Sequence, residues 1–211
     1  MTEIIIVRHG ETEWNARGIF RGRKDVTLSE VGIRQAELLG RRLSAVKLEA
    51  IYSSPLKRAL ATAARIAEYQ PVKQVEVSKS LIDMDYGEWE GKSEREVAGL
   101  YGDTYEMWRL APHQVRIPGG ESLDDVRKRV ISVIDTITSK HRGSVALVAH
   151  RVVNKVLICA LLGLDNSHFW NIRQDNAGIT IFSYEANRFI LFKHNDTSHL
   201  REMQQHSLED F

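Results

Sequence analysis

The chain has 211 residues, with 29 Lys and Arg set against 28 Asp and Glu and a formal net charge of +1. Such a balance leaves no global field to hold nucleic acid or an anionic membrane, so any preference for anions has to come from local clustering. No apolar run approaches membrane-spanning length, and the single cysteine, Cys159, excludes an intrachain disulfide framework. The length suits one domain over 1–211, with a lid-like insertion at about 83–118. Met1-Thr2-Glu3 leads directly into an apolar run without the basic flank of a signal peptide. The expectation is therefore a soluble, cytoplasmic protein with no nucleic-acid or membrane partner, and a homodimer as the candidate assembly.

Ile4-Ile5-Ile6-Val7 reads as a strand buried on both faces, of the kind found in the middle of a parallel sheet. It ends at Arg8-His9-Gly10, and in open α/β sheets ligands bind at that carboxyl edge. Guanidinium matches phosphate oxygens bidentately, while neutral imidazole offers a nucleophilic nitrogen. The loop after Asn15 is rich in Arg and Gly, including Arg21-Gly22. Ser29 caps a helix carrying Ala36, Leu39 and Leu43 on one face.

A second strand follows at Ala50-Ile51-Tyr52-Ser53. Ser54-Pro55 reads as the start of the next helix, with proline in its first turn. Arg58 in that first turn opposes the helix dipole, so it is not there for helix stability and calls for an anion. A short strand at Val75-Glu76-Val77 precedes a turn-rich, acidic loop from Leu81 to Gly91, and residues 93–109 read as helices of the insertion.

Ser122, with Asp125 three residues on, caps a helix whose Val126, Val130, Val133 and Ile137 face a core. Val145-Ala146-Leu147-Val148-Ala149 again ends on a histidine, His150. Two apolar strands therefore each deliver a histidine at the same sheet edge. A nearly all-apolar helix from Val152 to Leu162 follows, closed by Gly163, with Cys159 as a buried inert thiol. Ile179–Tyr184 and Phe189–Phe192 read as an antiparallel edge hairpin, followed by a polar tail from Asn195.

Six blocks in order resemble the histidine phosphatase superfamily in its phosphoglycerate mutase-like branch. They are Arg8-His9-Gly10-Glu11-Thr12-Glu13-Trp14-Asn15, Leu28-Ser29-Glu30-Val31-Gly32, Ser53-Ser54-Pro55-Leu56-Lys57-Arg58-Ala59, Gly87-Glu88-Trp89-Glu90-Gly91, Gly119-Gly120-Glu121-Ser122 and His150. The resemblance implies a three-layer α/β/α sandwich with a mostly parallel central sheet and an antiparallel edge. It implies His9 as the nucleophile, Arg8, Arg58 and His150 around the phosphoryl oxygens, and Asn15 and Arg21 as accessory phosphate contacts; Gly22, next to Arg21, reads as backbone able to bend over the bound phosphate. It also places the proton donor at Asp83, where the family usually carries glutamate. Aspartate is one methylene shorter, so either the loop sits closer or Asp85 or Glu88 does the protonating.

The other histidines (His113, His141, His168, His194, His199, His206) show no metal-ligand spacing, so neither metal nor cofactor is expected. Mutases of the family carry a longer insertion between the acid and the second histidine. Here Asp83 and His150 stand 67 positions apart (150 minus 83), which favours hydrolysis over isomerisation. Pro112-His113-Gln114-Val115, Phe169-Trp170 and Asp175-Asn176-Ala177 resemble the metal-independent phosphoserine phosphatases. Tyr86, however, stands where that group has a substrate-recognising histidine, and Arg151 follows the second histidine in place of a small or neutral residue. Arg151 is read as a contact for a second anionic group on a small phosphorylated substrate. A 2,3-bisphosphoglycerate-dependent mutase is the alternative reaction, and a weakly catalytic phosphometabolite-binding module is the alternative of another class.

Overall fold

The computed structural model describes residues 1–206. Its sheet is built from β1 (Thr2–Arg8), β2 (Leu48–Ser53), β3 (Val75–Val77), β4 (Ser144–Ala149), β5 (Ile179–Glu185) and β6 (Arg188–Asp196). The order is β3-β2-β4-β1-β5-β6; the first four strands run parallel, and β5 and β6 are antiparallel. The helices are α1 (Glu13–Ala16), α2 (Glu30–Leu43), α3 (Lys57–Glu68), α4 (Glu94–Leu100), α5 (Gly102–Leu110), α6 (Leu123–Lys140) and α7 (Arg151–Leu161). Among the described residues no helix is long and apolar enough to cross a membrane.

Strand alternation decides the layers. Ile4 and Ile6 face a core shared with Tyr52, Leu147 and the apolar stripes of α6 and α7. Ile5 and Val7 face the opposite one, with Ile51, Val148 and the inner residues of α2 and α3. Covered on both sides, β1 has no polar alternation to spare, which is why its interior is a continuous apolar run. The result is the expected α/β/α sandwich.

The segment 83–118 packs through aromatics: Trp89 is fully buried and meets Trp108 edge-on at 6.2 Å and Phe20 at 5.3 Å. These rings continue the α6/α7 core outward, beyond the carboxyl edge of the sheet. Past β6, a 3₁₀ segment at Ser198–His206 returns Leu200 to the α2/α3 core, with Met203 packed against the same core.

Two details differ from the sequence-based expectation. The helix expected at Ser54-Pro55 begins only at Lys57, with Leu56 in extended conformation as its N-cap and no side-chain cap bond. Ser54 Oγ accepts the N–H of Leu56 at 3.3 Å and lies 2.7 Å from His150 Nε2. The helix expected from Val152 starts one residue earlier, with His150 itself as N-cap.

The turn after β1 is pressed onto α2 by two glycines. A Cβ at Gly10 would stand 2.5 Å from Gly32 O, and one at Gly32 would stand 2.0 Å from Glu11 O. Both obstacles are backbone, so neither position has room for a side chain. Ser29 ties the same turn down, its N–H donating to Glu11 O at 2.9 Å. We predict that Gly32→Ala costs on the order of 1–3 kcal/mol, as overpacking does. Thermal denaturation should show a midpoint several degrees lower; an unchanged midpoint would contradict this packing.

Candidate active site

Parallel pairing sets Arg8 opposite Ala149, so β1 and β4 end level and deliver His9 and His150 side by side. Their ring centroids are 5.1 Å apart with the planes tilted by 57°. β2 ends alongside, and Ser54 N–H donates to Val148 O at 3.0 Å. Arg8, Arg58 and His150 are fully buried, His9 is 1% exposed and Asp83 5%. Five ionisable side chains are thus withdrawn from bulk water at one sheet edge.

The arginines are fixed mainly by neutral carbonyls. Arg8 donates to Gln174 O at 2.6 Å. Arg58 donates to Lys24 O at 2.9 Å and to Gly22 O at 2.8 Å. Backbone oxygens orient a guanidinium without cancelling its charge. Gly22 earns its place here: its φ is +50°, and a Cβ would stand 2.1 Å from Glu90 Oε1. It therefore serves Arg58 through its carbonyl. Arg58 Nε is buried without a hydrogen-bond partner.

His9 Nδ1 lies 2.6 Å from Gly10 O. A carbonyl only accepts, so Nδ1 carries the proton and Nε2 keeps its lone pair. Burial first, then the charges of Arg58, His150 and Arg8, hold its pKa well below that of ordinary imidazole. His150 is depressed in the same way, by burial and then by Arg58 and Arg21. Its Nε2 lies 2.7 Å from Ser54 Oγ, and its Nδ1 lies 3.6 Å from Asp83 Oδ2. As N-cap of α7, His150 also sits at the positive end of that helix.

The carboxylate facing this cup is Asp83, whose Oδ2 accepts from Arg58 at 2.9 Å. The two alternatives point elsewhere. Asp85 pairs with Arg23 at 3.0 Å and caps Gly87 N–H, while Glu88 accepts from the Tyr101 hydroxyl. The loop that carries Asp83 is tied to α6, where Arg129 donates to Ser80 O, Ile82 O and Asp83 O at 2.8, 2.6 and 3.2 Å. Glu121 holds Arg129 in turn at 3.0 Å and accepts Asp85 N–H at 2.9 Å.

Asn15 closes a capping box with Thr12, which uses its Oδ1 and leaves Nδ2 buried without a partner. Arg21 lines a small cavity with Gly22, Asp83, Tyr86 and Arg151. Tyr86 is buried against Arg151, and burial pushes its hydroxyl up to about 12, so it stays a neutral donor. Nine of the ten residues singled out in the sequence therefore lie at or around one cup; the contacts of Asn15 are with Thr12. Arg129, Gln174 and Ser54 were missed. The first flanks an apolar stripe, the second acts through its carbonyl, and the third resembles a helix cap, so no local pattern marks them. Cys159 stays outside, its thiol raised by burial. Among the described residues, no three His, Cys, Asp or Glu side chains cluster as a metal site would require.

Residues 4–197 match the family model described as histidine phosphatase superfamily (branch 1). The chain is 42% identical over 205 residues to phosphoserine phosphatase 1 of Hydrogenobacter thermophilus, covering 96% of each. It is 32% identical to the metal-independent phosphoserine phosphatase of Arabidopsis thaliana, covering 95% of this chain and 84% of that one. The solved structure of Bacillus stearothermophilus YhfR superposes with a TM-score of 0.90 at 31% identity, covering 95% of this chain and all (100%) of that one.

The charge environment predicts the titration of the two rings. Burial and neighbouring guanidinium groups both disfavour imidazolium, so the rings of His9 and His150 should remain neutral below pH ~6.5, the ordinary histidine value. NMR of histidine-labelled protein checks this directly; titration of either ring at or above the ordinary value would contradict it.

Proposed function

Because the chain belongs to branch 1 of the histidine phosphatase superfamily and is a phosphoric monoester hydrolase, we propose that it hydrolyses small phosphorylated metabolites by double displacement through a phosphohistidine at His9, without a metal. The carrying observation is the ring of His9, its Nδ1 proton fixed on Gly10 O, buried in a cup with Arg8, Arg58 and His150 and faced by Asp83.

In this reading Nε2 of His9 attacks phosphorus and forms the N–P bond as the P–O bond to the alcohol breaks. The departing oxygen takes its proton from the Asp83 carboxyl. Asp83, now carboxylate, takes a proton from water as that water attacks the phosphohistidine, releasing phosphate and restoring neutral His9. Phosphoryl transfer has a loose transition state with charge spread over the equatorial oxygens, so positioning and cationic stabilisation carry most of the catalysis. Arg8, Arg58, the buried Nε of Arg58 and the orphan Nδ2 of Asn15 supply donors for those oxygens. Backbone carbonyls orient both guanidinium groups, at Gln174 O for Arg8 and at Lys24 O and Gly22 O for Arg58, and Asp83 pairs with Arg58.

Hydrolysis is favoured over isomerisation by the short insertion and by relatives named as phosphoserine phosphatases. Phosphoserine is accordingly a substrate to try, with Arg151, in contact with Tyr86, placed to meet its carboxylate. A binding module with weak catalysis would not need the acid loop to be drawn in on Arg129.

Two kinds of ester separate the roles. In metal-free buffer His9→Ala should remove turnover of both phosphoserine and p-nitrophenyl phosphate. Asp83→Asn should lower kcat/KM for phosphoserine by roughly 10²- to 10⁴-fold, the usual worth of a general acid. It should spare p-nitrophenyl phosphate far more, since nitrophenolate departs unprotonated. Arg129→Met should show the same selectivity in weaker form. Equal losses on both esters would remove Asp83 from the acid role. Isomerised phosphoglycerate forming faster than free phosphate would favour the mutase.

A further inference from the structure

The cup opens into a second, larger space. Phe20, Glu94 and Arg151 line both the small cavity over Asp83 and an adjoining cleft of about 650 Å³. The cleft is lined by Tyr105, Trp108 and Arg109 from α5, by Lys155 from α7 and by Trp170, which adjoins Trp108. A cleft of this volume falls in the middle of the range that encloses drug-sized ligands, so a serine or glycerate leaving group would occupy only its mouth.

Its lining has a definite chemistry. Trp170 is held in place by its indole N–H, which donates to Trp108 O at 3.0 Å, and its ring meets that of Trp108 edge-on at 6.0 Å. Lys155, although buried, keeps its ammonium 4.7 Å from the Trp170 ring and 4.9 Å from the Phe169 ring. Arg173 and Asp175 at the far side form their own ion pair at 3.0 Å. Setting that pair aside, Arg109, Arg151 and Lys155 face one carboxylate, Glu94, which itself accepts from the Tyr105 hydroxyl at 3.3 Å. The cleft is therefore cationic in a chain whose overall charge is nearly balanced. Apolar walls around such charge strengthen its hold on an anion.

We propose that the cleft binds the leaving group of the substrate, and that this group contains a ring-sized body with a second anionic group, a carboxylate or phosphate, distal to the scissile phosphate. The ring lies among Tyr105, Trp108 and Trp170, and the distal anion meets Arg109 and Lys155. The inference rests on the phosphohistidine reading for the scissile end and adds the identity of the other end.

Three esters test it: phosphoserine, phenyl phosphate and 4-carboxyphenyl phosphate, with kcat/KM measured for each. The carboxylate should raise kcat/KM by about tenfold or more over phenyl phosphate, the worth of one charge-assisted hydrogen bond. Both aryl esters should exceed phosphoserine. In Arg109→Ala and in Lys155→Met the ratio of carboxyphenyl to phenyl ester should collapse towards that of the uncatalysed esters. Arg109 is exposed, so its variant keeps the test available even if replacing the buried Lys155 disturbs folding. A wild-type ratio near one, a ratio unmoved in Arg109→Ala, or phosphoserine preferred over both aryl esters would each overturn the proposal. His9→Ala is the control for the reading beneath it. Turnover surviving in that variant would overturn the phosphohistidine reading, whereas a lost carboxylate effect with His9 still required would overturn the cleft assignment alone.

Discussion

Burying two guanidinium groups beside two imidazoles is the constraint on which the rest of the structure turns. Taking charge out of water is costly unless it is paired or well hydrogen-bonded. Here one carboxylate, Asp83, is in contact with Arg58, and neutral oxygens do most of the remaining work: Gln174 O for Arg8, Gly22 O and Lys24 O for Arg58. Backbone oxygens thereby orient both guanidinium groups, and Arg58 is in addition paired with Asp83. The same field, added to burial, keeps His9 and His150 unprotonated. A cup that holds its histidines neutral and its arginines charged is suited to an anionic phosphoryl group and to nucleophilic attack on it.

The fold supplies this arrangement through levelled strand ends. β1 and β4 are adjacent and parallel, so residues 141 positions apart along the chain (149 minus 8) finish at the same height. The glycine pair Gly10 and Gly32 then brings the turn after His9 down onto α2. The carboxylate of Asp83 comes from a different layer: Arg129 on α6 gathers the carbonyls of the loop from Ser80 to Asp83 beside the cup.

Much of this was legible in the sequence because strand termini are local. Four branched residues ending at Arg8-His9, a second apolar strand ending at His150, and an arginine placed against the dipole of its helix mark the cup before any coordinate is known. The choice among Asp83, Asp85 and Glu88 was not legible, since all three occupy one turn-rich loop and only tertiary partners separate them. Ser54 showed the limit of local rules. Followed by proline it looks like a helix start, yet its hydroxyl is used to hold His150. The wide cleft was hidden for the same reason: its walls come from α5, α7 and the segment around Trp170, and no sequence window contains them together.

The most direct test of the central claim is the stereochemical course at phosphorus, followed with a monoester made chiral by oxygen isotopes and a non-water acceptor such as an added alcohol. Two successive in-line displacements, first onto His9 and then off it, predict net retention of configuration. Net inversion would mean a single direct displacement, and would contradict the account of His9 as the atom that carries the phosphoryl group.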